Sequence, residues 1–80
     1  MNVKILGIGC ARCNELEKSV RDMLAELGVA ADIEHVRDIK LFASMGVFMT
    51  PGLVVDGKVV SQGRLPGRDE LRKWLGGAPS

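Results

Sequence analysis

The chain has 80 residues, of which 46% are hydrophobic and 26% charged, a balance typical of one small folded domain and not of a disordered segment. Eleven basic and ten acidic residues leave a formal net charge of +1, which argues against the strongly basic face of a nucleic-acid-binding protein. No apolar run approaches the ~20 residues of a membrane-spanning helix, and the N-terminus lacks the apolar core of a secretory signal. We expect a cytoplasmic monomer that binds neither nucleic acid nor membrane.

The first half of the chain is typical of a β-α-β unit. Residues 3–8 form a short aliphatic run, which predicts a first strand. Apolar side chains then recur at helical spacing up to Gly28, which predicts a long helix that ends there. Residues 31–36 predict a second strand, and the helical crossover implies that the two strands run parallel. The apolar positions of the helix are Leu16, Val20, Met23, Leu24 and Leu27.

The second half of the chain predicts a short helix, a β-hairpin and a final helix. Asp38 is a suitable N-cap for the short helix, and Gly46 ends it. Asp56-Gly57 separates two aliphatic runs, which is the strongest short-range hairpin signal. The final helix begins near Arg68, with acidic residues in its first turn. The apolar side chains of the two helices are Ile39, Leu41, Phe42 and Met45 in the short helix and Leu71, Trp74 and Leu75 in the last.

These elements follow the order β-α-β-α-β-β-α. The simplest packing is an α/β fold with a mixed four-stranded sheet and helices on both faces. We assign residues 1–76 to one domain and residues 77–80 to a flexible C-terminal tail.

The two cysteines, Cys10 and Cys13, are the chemically distinctive residues of the chain. They are too few for a secreted disulfide framework, and a bridge across so small a loop adds little stability, so we interpret the pair as reactive. The pair lies where the first strand gives way to the first helix, whose N-terminus stabilises a thiolate. Arg12, between the two sulfurs, adds a positive charge. Because Cys10 is nearer the strand end, we predict that it is the attacking thiolate and that Cys13 is the resolving thiol.

Thr50-Pro51 is the second informative site of the sequence. Proline cannot donate to a sheet ladder, so it belongs at the first residue of a strand or in a special turn. An ordinary trans bond and a cis bond that leaves the Thr50 backbone free to pair with a partner both fit this spacing. Phe48 and Met49, just before it, fit either an apolar rim or core packing. The lone His35, late in the second strand, is expected at the surface.

Three segments resemble the small thioredoxin-like "redox-active disulfide" proteins: Gly7 to Cys13, Val47 to Val60, and Gly63 with Leu65-Pro66. The likeness spans about residues 2–76. It implies a thioredoxin fold without the N-terminal strand and helix, and a thiol–disulfide oxidoreductase, for which we expect no cofactor. It also implies that Pro51 is the cis-proline beside the active-site disulfide.

The resemblance carries over to individual residues of this chain. We expect Cys10 and Cys13 to be catalytic, with substrate binding by four residues near the cis-proline. Partners would be a disulfide-containing protein or a small thiol such as glutathione, together with an unidentified reductase. The residues expected to support the cysteines are Gly9, Ala11 and Arg12, and those expected to bind substrate are Met49, Thr50, Pro51 and Gly63.

The sequence departs from thioredoxins proper near the cysteines. Gly9 stands where they carry tryptophan, and Ala11-Arg12 stands where they carry Gly-Pro. Lys4 occupies the place of their buried acid, which assists proton transfer. General protein-disulfide reductase activity therefore does not follow from the resemblance.

Two other functions remain open from the residues. The segment Gly7 to Cys13 also resembles the metal loop of heavy-metal-associated domains, which would hold copper(I) or arsenic between two thiolates. Those domains prefer Met at the position of Ile8 and end in a strand, whereas this chain is predicted to end in a helix. A zinc site would need two further ligands, and only His35 is available, so we predict no metal site. The third function is a scaffold for protein contacts.

Overall fold

A computed structural model describes residues 1–8 and 11–76 of the chain. The predicted order of strands and helices is confirmed, and none of the described helices is long and apolar enough to cross a bilayer. The tail predicted at residues 77–80 lies outside the described residues and stays a prediction. The elements are β1 (Asn2–Leu6), α1 (Ala11–Leu27), β2 (Asp32–Val36), α2 (Ile39–Ser44), β3 (Gly52–Val55), β4 (Lys58–Gln62) and α3 (Arg68–Leu75).

The four strands form one mixed sheet in the order β2-β1-β3-β4. β1 runs parallel to β2, as the helical crossover between them implies, and antiparallel to β3. In this register Ile5 lies between His35 of β2 and Leu53 of β3. β3 and β4 pair as an antiparallel hairpin with an irregularity between Leu53 and Val54. β1 and β3 are therefore the central strands, and they position the loops that follow β1 and precede β3 at one end of the sheet.

Apolar side chains cover both faces of this sheet because successive strand residues point to opposite sides. On one face, α1 and α3 pack over β1 and β3. On the other face, α2 packs through Phe42. Trp74, one of the apolar side chains of α3, packs partly buried at the edge of the first cluster. The first cluster contains Val3, Ile5, Leu16, Val20, Met23, Leu24, Leu53, Val55, Leu71 and Leu75, and the second Leu6, Val36, Phe42, Val47 and Val54.

α2 begins at the predicted N-cap, but fewer of its apolar side chains are buried than predicted. The Asp38 side chain accepts a hydrogen bond from the Lys40 amide at 3.0 Å, which is the expected N-cap. Ile39 and Leu41, assigned to its apolar set, are 61% and 43% exposed, and Phe42 is its buried residue. A helix of six residues makes fewer than two turns, so it offers few side chains to one sheet face.

The hairpin turn is confirmed at Asp56 and Gly57. Their φ angles are +50° and +83°, so both central residues are left-handed, as a two-residue turn of type I′ requires. Asp56 also ties this turn to the start of β1. Its carboxylate accepts a hydrogen bond from the Asn2 amide at 2.8 Å, and its own amide donates to the Asn2 carbonyl at 2.7 Å.

Two donors hold the Glu70 carboxylate at the start of α3. Arg64 donates to its carboxylate, and the Gly67 amide donates to Glu70 Oε1 at 3.1 Å, which together lower the pKa of Glu70 from 4.5 to about 2. A carboxyl with a lowered folded-state pKa stabilises the fold above its unfolded pKa and loses that contribution as the pH falls toward 2. We expect the thermal midpoint of Glu70→Gln to vary less than that of the wild type between pH 5 and pH 2, measured by circular dichroism. Parallel profiles would contradict this assignment.

Candidate active site

The connection from β1 to α1 brings the Cys13 sulfur onto the backbone of Gly7. Cys13 is the third residue of α1 and is completely buried. A β-carbon built on Gly7 would overlap the Cys13 Sγ atom. The Gly7 amide donates to the Val36 carbonyl at 3.0 Å, which fixes the chain just beyond β1. Glycine is therefore required at this position by the close approach of the sulfur.

The other predicted residues of the cysteine loop are described only in part. Gly9 and Cys10 lie outside the described residues, so their predicted geometry stays a prediction. Ala11 and Arg12 are the first two residues of α1, and both are exposed. In the chain, Cys10 directly precedes the first residue of α1, a helix of 17 residues. The dipole of a helix is positive at this N-terminal end.

The Thr50–Pro51 peptide has the cis conformation and directly precedes β3. β1 and β3 pair with Leu6 opposite Gly52, and continuing that register by one residue sets Gly7 opposite Pro51. Pro51 is fully buried, whereas Thr50 is exposed. By this register the proline lies opposite the glycine against which the Cys13 sulfur packs, although it is 44 residues farther along the chain than that glycine.

Gly63 closes this site from the end of β4. Its amide donates to the Pro51 carbonyl at 3.0 Å. Its φ angle is +78°, and a β-carbon there would lie 3.1 Å from the Met49 Cβ atom. Both the backbone conformation and the space therefore favour glycine. The structure brings Cys13, Met49, Pro51 and Gly63 to one end of the sheet.

Comparison with known proteins identifies the family. The thioredoxin domain family model matches residues 1–76. The chain is 37% identical over 75 residues to a thioredoxin of Methanothermobacter thermautotrophicus, covering 94% of this chain and 97% of that protein. It is 36% identical over 73 residues to a thioredoxin of Methanocaldococcus jannaschii, covering 91% of this chain and 84% of that one. The chain belongs to the thioredoxin domain family.

Family membership gives the general class of activity. The protein is a thioredoxin-like disulfide oxidoreductase. The described part of the chain ends in α3 and not in a strand, which disagrees with the heavy-metal-associated fold. The metal-carrier alternative thus gains no support from the fold or from these relatives.

An apolar groove lies beside the cis-proline of this thioredoxin-like fold. Phe48, which lines the groove, is 78% exposed and Met49 beside it is 59% exposed, so neither side chain packs in the core. Ile8, just before the cysteine loop, and Ile39, at the start of α2, are also exposed. Neither isoleucine is predicted at the site from the sequence, where Ile39 counts only as an apolar residue of a short helix. The groove, of about 350 Å³, is lined by Ile8, Ile39, Phe42, Ala43, Val47, Phe48 and Thr50.

His35 is not the surface residue that sequence analysis predicted. Its side chain is 12% exposed, and its Nδ1 atom lies 3.0 Å from Glu17 Oε1 of α1. The β1–β2 register sets His35 beside Ile5, whose face is covered by α1, and this explains the burial. The contacts with His35 and Arg21 lower the pKa of Glu17. The pair thus links β2 to α1 one helical turn beyond Cys13.

Proposed function

We propose that this thioredoxin-like protein exchanges disulfides with Cys10 as the nucleophile and Cys13 as the resolving thiol. The observation that carries the proposal is the burial of the Cys13 sulfur against Gly7. An external disulfide cannot reach a completely buried sulfur in line with its S–S bond. The first attack therefore falls to Cys10, and Cys13 reacts only with a sulfur already brought into the site.

The proposed exchange transfers two electrons in two steps. The Cys10 thiolate attacks one sulfur of the substrate disulfide, so a Cys10–substrate bond forms, the substrate S–S bond breaks, and the departing thiolate takes up a proton. Cys13 then loses its proton and attacks the Cys10 sulfur. The Cys10–Cys13 disulfide forms and the second substrate thiol is released. The substrate is reduced, the dithiol is oxidised, and a reductase or a thiol such as glutathione restores it.

The start of α1 supports the thiolate on which this mechanism depends. The first N–H groups of a helix have no intrahelical acceptor, and the aligned peptide dipoles make that end positive. Arg12 adds a full charge in the same turn. Each of these favours the ionised form of a neighbouring thiol. Lys4 stands in the place of the family's buried carboxyl, so that position supplies no acid for proton transfer.

Substrate binding is assigned to the residues around the cis-proline. Thr50 is exposed beside Pro51, so its backbone can pair with an extended segment that carries the substrate disulfide. The exposed Phe48 and Met49 side chains and the adjoining groove suit an apolar side chain of that segment. The Met49 side chain packs against Gly63, which helps to position it beside this segment. We further propose a cytoplasmic location, where a dithiol is kept reduced.

A redox titration against glutathione tests the proposed function. The protein is equilibrated in buffers with an increasing fraction of oxidised glutathione and then treated with an alkylating reagent. We expect mass spectrometry to show that both cysteines become protected from alkylation together, in a single two-electron transition. The Cys10→Ser variant is the control and should show no internal disulfide. If both thiols stay reduced in fully oxidised buffer, or if only mixed disulfides with glutathione accumulate, the proposed couple does not exist.

A further inference from the structure

The loop that carries the cis-proline is exposed in its middle and fixed at its ends. We refer to residues 46–51, between α2 and β3, as the cis-proline loop. Val47 and Pro51 are buried, whereas Phe48 and Met49 project into solvent. Val47 folds back over Gly52, where a β-carbon would lie 2.6 Å from the Val47 Cγ1 atom. Apolar burial therefore holds the ends of the loop and contributes little to the order of its middle.

Gln62, the last residue of β4, binds this middle part with its side chain. Its Oε1 atom accepts hydrogen bonds from the Phe48 amide at 2.7 Å and from the Met49 amide at 3.3 Å. Its Nε2 atom donates to the Gly46 carbonyl at 3.4 Å. The orientation of the carboxamide follows from its partners, because only an oxygen can accept from two amides. One side chain thus satisfies three main-chain groups of the cis-proline loop.

Gly63, the residue that follows β4, holds the other end of the same loop. The Gly63 amide donates to the Pro51 carbonyl, so two successive residues of the hairpin bind both halves of the loop. Gln62 also pairs with Gly52 across the β3–β4 ladder. The loop is therefore attached to a strand of the sheet and does not depend on its own exposed side chains for its shape.

We propose that Gln62 is a positioning residue that sets the cis-proline loop for polypeptide disulfides, an inference that rests on the proposed function. Because Gln62 occupies the Phe48 and Met49 amides, an extended substrate cannot pair with them. It is left with Thr50, next to Pro51 and the cysteines. Gln62 thereby fixes both the shape of the loop and the register in which a peptide lies along it. A small disulfide, which needs no strand pairing, does not depend on this residue.

The kinetic test compares two substrates in three variants. Gln62→Met keeps the length of the side chain and removes its hydrogen bonds, Gln62→Glu keeps the two-amide acceptor, and Lys58→Met is the control on the same strand. With a synthetic peptide that contains one disulfide, we expect Gln62→Met to raise KM about tenfold with kcat changed less than about twofold. Its rate with a small aromatic disulfide should stay within about twofold of the wild type. Gln62→Glu should have a peptide KM close to that of the wild type. Lys58→Met should match the wild type in both KM and kcat.

Amide hydrogen exchange at Phe48 and Met49 tests the same proposal without turnover. These amides should exchange slowly in the wild type, about tenfold faster in Gln62→Met, and slowly again in Gln62→Glu. An unchanged peptide KM in Gln62→Met, equal losses with both disulfides, or unchanged exchange at these amides would overturn the role of Gln62. A wild-type protein that reduces neither disulfide would instead overturn the proposed function, and the exchange data would still decide whether Gln62 holds the loop.

Discussion

The Cys13→Ser variant is expected to accumulate a covalent adduct with a disulfide peptide, whereas Cys10→Ser is expected to form none. Without the resolving thiol, the reaction stops after the first exchange, because nothing inside the site can displace the captured peptide from Cys10. Cys10→Ser should lose turnover by a factor of about 10³ or more, since the buried Cys13 sulfur cannot reach an external disulfide. Intact-mass analysis of the reaction mixtures under non-reducing conditions measures both outcomes.

The double variant Cys10→Ser/Cys13→Ser is the control for non-specific adducts. Trapping is compared at a temperature at which thermal unfolding shows each reduced variant to be folded, so that a difference in trapping reports chemistry and not folding. Adduct formation by Cys10→Ser with none in Cys13→Ser would reverse the assigned roles. Equal adduct formation by both would show that Cys13 is reached from outside.

The parts of the fold with strong local patterns could be predicted from the sequence. α1 ends at Leu27, just before Gly28, whose φ of +68° suits the residue after a helix. The Asp56-Gly57 turn likewise has the conformation that its residue types favour. The strand ends were less well predicted: β1 was expected over residues 3–8 but ends at Leu6. The composition of the run does not change there, and the turn toward α1 decides the boundary.

The burial of individual side chains was predicted wrongly where it depends on how the strands and helices pack against one another. His35 is covered because the parallel β1–β2 register sets it on the sheet face that α1 shields. The sequence of residues 31–36 alone does not indicate this register. Ile39 and Leu41 are apolar positions of α2, but fewer than two turns are too few to show which side of the helix meets the sheet. The apolar pattern of a six-residue helix is too short to distinguish side chains that line an exposed groove from side chains that pack in the core.

The candidate site was predicted by residue type, while its assembly required the fold. The spacing of the cysteines marked the thiol pair, and only the resemblance linked it to Pro51, which the β1–β3 register sets opposite Gly7. Gln62 carries no sequence signal, because its hydrogen bonds reach main-chain groups 13, 14 and 16 residues earlier in the chain. Any polar side chain at the end of a hairpin would look the same in the sequence.

Replacing Gly7 by alanine is expected to reduce disulfide exchange by about 10²-fold, the scale that a misplacement of about 1 Å imposes on positioned reacting groups. The new methyl group would overlap the Cys13 Sγ atom, which is already completely buried and has no free volume to enter. Either the sulfur or the first turn of α1 must shift. Overpacking of this kind costs about 1–3 kcal/mol of folding free energy. Peptide-disulfide turnover and denaturant unfolding of the reduced protein measure the two effects.

Gly67→Ala is the matched control, because a β-carbon at Gly67 would lie 3.9 Å from its nearest neighbour, Glu70 Oε1, at ordinary contact distance. Gly67 has a φ of −78° at the N-cap of α3, so alanine is conformationally permitted and should leave turnover unchanged. Wild-type activity in Gly7→Ala would mean that the close contact with Gly7 does not set the position of the sulfur. Equal losses in both variants would mean that activity follows general stability. A loss confined to Gly7→Ala, measured where both proteins are folded, ties the resolving step to the contact between one strand end and one sulfur.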